Sequence, residues 1–172
     1  MIDLIDGLGQ LGTVLKKAIE EQRIIAPESI AIYHTWNFLD KSEQTQRQCY
    51  DVFTRFIKAN PRRKIIFTST YSETDNPYNY YKQLSEAFLL SNHEKGYVIK
   101  LPTLIGKGIF EKFRDEKAEA FGNMEIMLLE DAAQEVLRVA LANTKVRSFR
   151  AQGTIVPAKI VKGLILFGKH KR

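Results

Sequence analysis

A chain of 172 residues, 44% hydrophobic, 27% charged and 10% aromatic, has the size and balance of one globular domain with a real core. Cys49 is the single cysteine, so an internal disulfide and a cysteine-based metal cage are excluded, and three scattered histidines without a carboxylate at ligand spacing argue against any metal site. The formal net charge of +6 is dispersed, apart from Arg62, Arg63 and Lys64 and the terminal KHKR, and lacks the basic stripe with interleaved aromatics of a nucleic-acid binder.

The charge suits an anionic ligand such as a nucleotide or sugar diphosphate as well as it suits solubility. No apolar run reaches the length of a membrane span, and the start MIDLIDGLGQ lacks the basic opening of a signal peptide, so a cytoplasmic location is expected.

In chain order, IDLI (residues 2–5) reads as a short strand running into Gly7, Gly9 and Gly12, and TVLKKAIEEQR as a helix. SIAIYHTW is a second strand. SEQTQRQCYDVFTRFIKAN is a helix with Ser42 as N-cap and with Cys49, Val52, Phe53, Phe56 and Ile57 near helical spacing. KIIFTST is a third strand, SETDNP a turn-rich loop, YNYYKQLSEAFLLSN a third helix, and GYVIKLP a fourth strand stopped at Pro102.

Beyond Gly108 the pattern changes. IFEKFRDEKAEAF reads as a helix and NMEIMLL as a strand, while Asp131 with Gln134 three residues on suggests a capping box for AAQEVLRVALA. One more short strand is expected within Ser148 to Val156, then a helix from Ala158. The segment GLILFGKHKR is expected to pack on the domain, with a membrane surface or a partner as the other readings. Strands alternating with helices imply crossover units and a parallel sheet. The organisation expected is a shortened Rossmann-like α/β core over residues 1–108, with a small C-terminal substrate lobe, 109–172, packed on it.

The order strand, G-L-G-Q-L-G, helix is the context of a dinucleotide loop, in which glycines allow a tight turn and close approach to a pyrophosphate at the helix N-terminus. A tight turn without ligand remains the other reading. The acidic residue expected about 20 residues on, to hold a ribose, has no convincing counterpart: the second strand ends in Tyr33, His34, Thr35 and Trp36, and Asp40 lies beyond it.

Tyr78 and Lys82 are four apart on a helix and share a face, which suits acid/base chemistry on an alcohol or ketone. A nearby ammonium is expected to draw the tyrosine pKa down. A hydroxyl on FTST can hold the substrate oxygen. Tyr80 and Tyr81 keep open the reading of an aromatic core face. His34 reads as structural or as a group near the cofactor, and His93 and His170 as solvated.

Taken in order, GQLG (9–12), IYHTW, KIIFTST, PYNYYKQLSEAFL, KLPTLIGKG and EIMLLEDAAQEVLRVAL resemble segments of the extended short-chain dehydrogenase/reductase family, which modifies nucleotide-activated sugars, as in polysaccharide biosynthesis. The resemblance implies NAD or NADP as cofactor and a nucleotide-sugar substrate. It implies Tyr78 as general acid/base, Lys82 as the residue that tunes it and binds the nicotinamide ribose, and Thr70 as a hydrogen bond to the reacting oxygen. Gly7, Gly9, Gln10, Leu11 and Gly12 would face the pyrophosphate, with His34 nearby.

Epimerase or reductase chemistry is implied over dehydration, since Tyr71 and Ser72 stand where dehydratases carry an acidic pair. The alternative is a non-catalytic relative that binds a sugar nucleotide or a partner enzyme. If SIAIYHTW corresponds to the family's fourth strand, two strand–helix units that normally precede it are missing. Relatives often dimerise through two helices, which points to the apolar faces around Phe53, Phe56, Phe88 and Leu89.

Overall fold

The computed structural model describes every residue except 6–8, 71, 73, 107–112, 114–118 and 170–172. The expected helix at 109–121 and the glycine loop at Gly7 therefore fall largely outside the described residues; within the former, Phe113 is described and is buried.

The chain opens with β1 (Ile2–Ile5), α1 (Gln10–Glu21), β2 (Ile30–Tyr33), α2 (Glu43–Ala59), β3 (Lys64–Thr70), α3 (Pro77–Asn92) and β4 (Gly96–Leu101). Then follow β5 (Thr103–Ile105), β6 (Asn123–Leu128), α4 (Leu129–Leu141), β7 (Ser148–Arg150), β8 (Thr154–Pro157) and α5 (Ala158–Lys169). Local chemistry sets several of these boundaries. The Ser42 side chain accepts from Thr45 N at the start of α2, and the Asn76 side chain accepts from Asn79 N at the start of α3, where Pro77 fits the first helical turn.

The main sheet is parallel throughout, in the order β1-β2-β3-β4-β7. Strands β2 and β3 are buried on both faces, which explains their continuous apolar runs. On one face α1 and α4 bury Leu15, Ala18, Val136 and Ala140 against Ile30, Ile32, Ile66 and Ile99. On the other, α2 and α3 bury Phe53, Ile57 and Leu89 against Ala31, Tyr33, Ile65, Phe67 and Val98. Rings reinforce this second layer: Phe53 and Phe67 lie 4.6 Å apart and Tyr33 meets Phe53 edge-on at 4.8 Å.

These layers fix an unusual connection. From β1 to β4 each crossover steps one strand in the same direction, yet α1 lies on the face opposite to α2 and α3. The connection through α1 therefore has the opposite hand to those through α2 and α3. Parallel crossovers are almost always right-handed because of strand twist, so one of the two kinds departs from the rule. The first strand after α1 pairs beside β1, which leaves β1 with a single neighbour. Strand β1 is then the sheet edge, tied to its neighbourhood by an Arg63–Asp3 ion pair of 2.5 Å.

A second sheet, β5-β6-β8, combines a parallel and an antiparallel pair. Residues 109–172 thus contribute to both layers, since α4 and β7 join the main sheet while β6 and β8 form the smaller one.

Several expectations are corrected. Residues 148–156 form two strands in different sheets rather than one. Helix α4 starts at Leu129 with no side-chain cap, which places Asp131 in its first turn, where a carboxylate favours the helix dipole. His93 is buried rather than solvated; its Nε2 lies 3.0 Å from the Asn60 carbonyl at the end of α2, which compensates the loss of water. Phe53 and Leu89 are fully buried in the core and cannot form part of a subunit interface; Phe56 and Phe88 are half-buried. The final helix is not packed into the core: of its apolar residues only Ala158 is buried.

The turn between β7 and β8 depends on a glycine. A Cβ on Gly153 would stand 2.3 Å from the Ile126 carbonyl oxygen, a backbone atom that cannot swing away. Gly153→Ala is expected to destabilise the chain by about 1–3 kcal/mol, as overpacked sites do. A urea midpoint matching the parent's would show that this close approach is not required.

Candidate active site

The helices that follow β1 and β2, α1 and α2, lie on opposite faces of the sheet. Adjacent parallel strands whose connections diverge in this way open a crevice at their carboxyl ends, the position where doubly wound sheets hold ligands. A cleft of about 700 Å³ occupies it. The start of α1 forms one wall (Gly9, Gln10, Leu11), and the segment after β2 (His34, Thr35, Trp36, Phe38, Lys41) forms another. The end of β3 and the start of α3 supply the floor, with Thr68, Ser69, Thr70, Tyr78, Asn79 and Lys82.

Of the residues singled out in the sequence, the cleft brings together Gly9, Gln10, Leu11, His34, Thr70, Tyr78 and Lys82. Gly12 is buried inside α1 and is not on its wall; Gly7 lies outside the described residues. Asp40, the acid nearest the end of β2, accepts hydrogen bonds from Ser42 N and Thr45 Oγ1, which hold its carboxyl below the usual range. It serves the turn into α2 rather than the cleft.

Lys82 is buried, and its ammonium donates to the Thr68 carbonyl at 2.8 Å. It sits 4.9 Å from the Phe67 ring centroid, 5.4 Å from Trp36 and 5.8 Å from Tyr78. Loss of water pulls its pKa down to about 7, opposed by the carboxylate of Glu86 one turn on. Tyr78 moves the other way: burial raises its pKa to about 12. The expected lowering by Lys82 is therefore not found, since desolvation of the phenolate dominates. Tyr78 is a proton donor at neutral pH. Thr70 Oγ1 accepts from Ser72 N at 3.2 Å, which leaves its own proton for an incoming oxygen.

Spacing did not reveal two supporting groups. Glu86 is buried behind the floor; it accepts from Ser69 Oγ at 2.5 Å and pairs with Lys100 at 2.9 Å. Its position four residues after Lys82 was the available signal, obscured by the apolar pattern around it. Gln46, fully buried, accepts from Trp36 Nε1 at 2.7 Å and donates to the carbonyls of Asn37 and Asp40. It pins the segment that carries Trp36 to the lysine. On the other wall, the Gln10 side chain lies where a Cβ on Gly106 would stand, so glycine there lets the strand-following loop meet the start of α1.

No family model matches the sequence, and no curated protein sequence does. Solved structures do match the fold. UDP-N-acetylglucosamine 4-epimerase from Bacillus cereus superposes with a TM-score of 0.72 at 16% identity, covering 94% of this chain and 81% of its own. A dTDP-4-dehydrorhamnose reductase from Clostridium acetobutylicum gives 0.72 at 17% identity, covering 97% and 80%. The enzyme WbmH of Bordetella bronchiseptica, in complex with NAD+, gives 0.75 at 12% identity, covering 98% and 81%. The chain therefore shares the Rossmann-like α/β fold of these structures.

Proposed function

We propose that the chain acts on a nucleotide-activated sugar as a reductase or epimerase of the short-chain dehydrogenase type, with Tyr78, Lys82 and Thr70 as its chemical groups. The observation that carries this reading is the meeting of these three residues with the start of α1 in one cleft at the carboxyl edge of a parallel sheet. The names of its structural neighbours agree with such a substrate.

A nicotinamide dinucleotide fits this site in part. The first turn of α1 has no acidic residue and Gly9 offers no side-chain cap, so backbone N–H groups and the positive end of the helix are suited to a phosphate. Lys82 and Tyr78 suit the nicotinamide end. The adenosine half has no wall of this kind, because β1 is the sheet edge and among the described residues no strand lies outside it.

When bound, the nicotinamide supplies or accepts the hydride. The chain's residues manage the proton and the geometry. Tyr78, protonated at neutral pH, donates to the oxygen of a sugar ketone; Thr70 donates a second hydrogen bond to the same oxygen and polarises it. The Lys82 ammonium favours the phenolate left behind. This protonation pattern favours the direction of ketone reduction.

The second reading, a non-catalytic binder of a sugar nucleotide, is favoured by the open edge at β1 and by the engagement of Lys82 with Thr68 and three rings. Titration with NADH and NADPH, followed by nicotinamide fluorescence and calorimetry, separates the two. Micromolar binding, about −8 kcal/mol, is expected for the enzyme. Binding of UDP- or dTDP-sugars with no dinucleotide binding up to millimolar concentration would leave the binder.

A further inference from the structure

Among the described residues that line the cleft there is no aspartate or glutamate, yet its floor carries a buried amine. Lys82 donates to the Thr68 carbonyl and otherwise meets the rings of Phe67, Trp36 and Tyr78. The nearest carboxylate on its own helix, Glu86, is taken up elsewhere.

Glu86 is buried behind the floor. Phe67 on β3 and Val98 on β4 belong to the layer that α3 covers, so Ser69 and Lys100, two residues further along each strand, share that face. These two are partners in the register of β3 and β4. Glu86 is set down on the pair: Ser69 Oγ donates to its Oε1 at 2.5 Å, and Lys100 Nζ lies 2.9 Å from its Oε2. Both carboxylate oxygens are thus engaged, as burial of a charge requires.

The groups around Lys82 act on its charge unequally. Burial opposes the ammonium, the Glu86 charge favours it, and Cys49 on α2 adds a smaller effect in the same direction as Glu86. Tyr78 is protonated, and Lys41, on the other wall, lies over the Tyr78 ring at 5.6 Å.

We infer that Glu86 is a positioning residue: clamped between Ser69 and Lys100, its carboxylate supplies the field that keeps the Lys82 ammonium charged among aromatic rings. Without that field the amine is neutral over more of the working range, and Tyr78 loses the cation that favours its phenolate. The consequence for the reaction rests on the roles proposed above for Tyr78 and Lys82. The charge of Lys82 does not, and it can be read separately.

Trp36 is the only tryptophan of the chain and lies 5.4 Å from Lys82, so its fluorescence reports on that charge. In the parent, emission should titrate with a midpoint at about 7, and Lys82→Met should abolish the transition. Glu86→Gln keeps an acceptor for Ser69 and removes the charge; its midpoint should fall by about one pH unit or more. Lys100→Met should shift the midpoint upward, because less of the Glu86 charge is then neutralised. With a keto nucleotide sugar and NADPH, kcat of Glu86→Gln should fall off at lower pH than the parent's, with KM little changed. A merely structural loss would lower the rate equally at every pH. A Glu86→Gln midpoint at or above the parent's would overturn the inference, as would a parent without a transition that Lys82→Met removes. If Glu86→Gln does not fold, a Lys100→Met midpoint at or below the parent's does the same. A shifted midpoint in a protein that turns over no keto sugar would uphold Glu86 and remove the reductase reading instead.

Discussion

Replacing Lys82 with methionine is expected to stabilise the folded chain at pH 7 while removing its chemistry. The ammonium is buried, and its pKa falls from 10.5 to about 7 on folding. At about 1.4 kcal/mol for each pKa unit, this desolvation corresponds to roughly 5 kcal/mol against the folded state. The hydrogen bond to Thr68 and the three aromatic faces offset part of it, by about 1 kcal/mol apiece or less. Methionine has a similar reach and no charge, so a net gain of about 1–3 kcal/mol is expected at pH 7.

The pH dependence gives a separate check. Because the folded pKa is depressed for a base, the unfolded chain binds more protons between about pH 7 and 10.5, and stability must rise with pH across that window. The penalty is complete below pH 7 and gone above 10.5. Lys64, whose pKa burial also lowers, adds in the same direction. Tyr78 acts only above about pH 10: its folded pKa is raised, so its contribution is lost as pH climbs toward 12. Urea unfolding at pH 7 and 9.5 should therefore show the parent chain gaining stability and Lys82→Met gaining far less. A parent whose stability falls over that interval would mean that Lys82 stays charged through it, held by Thr68 and the rings.

Tyr78→Phe is expected to reduce turnover of a keto nucleotide sugar by about 10²–10⁴-fold, the usual contribution of a positioned acid. The fold should be little affected, because the substitution removes only the hydroxyl of a half-buried ring. Substrate affinity should remain, which distinguishes loss of the proton donor from loss of the site. Since the Tyr78 pKa lies near 12, the parent's reduction rate should show no tyrosine titration below about pH 10; a limb near pH 7 would belong to Lys82. Single-turnover oxidation of NADH with the sugar decides it. A Tyr78→Phe protein within about threefold of the parent would remove tyrosine from the mechanism.

Much of the architecture was legible from periodicity and punctuation. The apolar, β-branched runs in SIAIYHTW and KIIFTST were readable as strands. Ser42 marked a helix start through chemistry that works on neighbouring residues alone. The four-residue spacing of Tyr78 and Lys82 likewise put both on one face, and both line the cleft.

Misreadings arose where a distant group decided the outcome. His93 was expected in solvent because it falls in a loop, but the partner that compensates its burial, the Asn60 carbonyl, is 33 residues away. Residues 148–157 carry one strand-like pattern that two different sheets divide between them.

The sequence by itself determined most strands and helices of the main sheet, some of their ends, and which hydroxyl, phenol and amine groups stand close along the chain, because these follow from backbone and side-chain preferences acting over a few residues. Only the tertiary structure decided on which face of the sheet each helix lies. The reversed connection through α1, the crevice it opens between β1 and β2, and the missing wall beyond β1 all follow from that choice. The tertiary structure also set the protonation of the site. Desolvation depends on what is packed around a group, and here it pushes Tyr78 up and Lys82 down, opposite for the tyrosine to what their spacing alone implied.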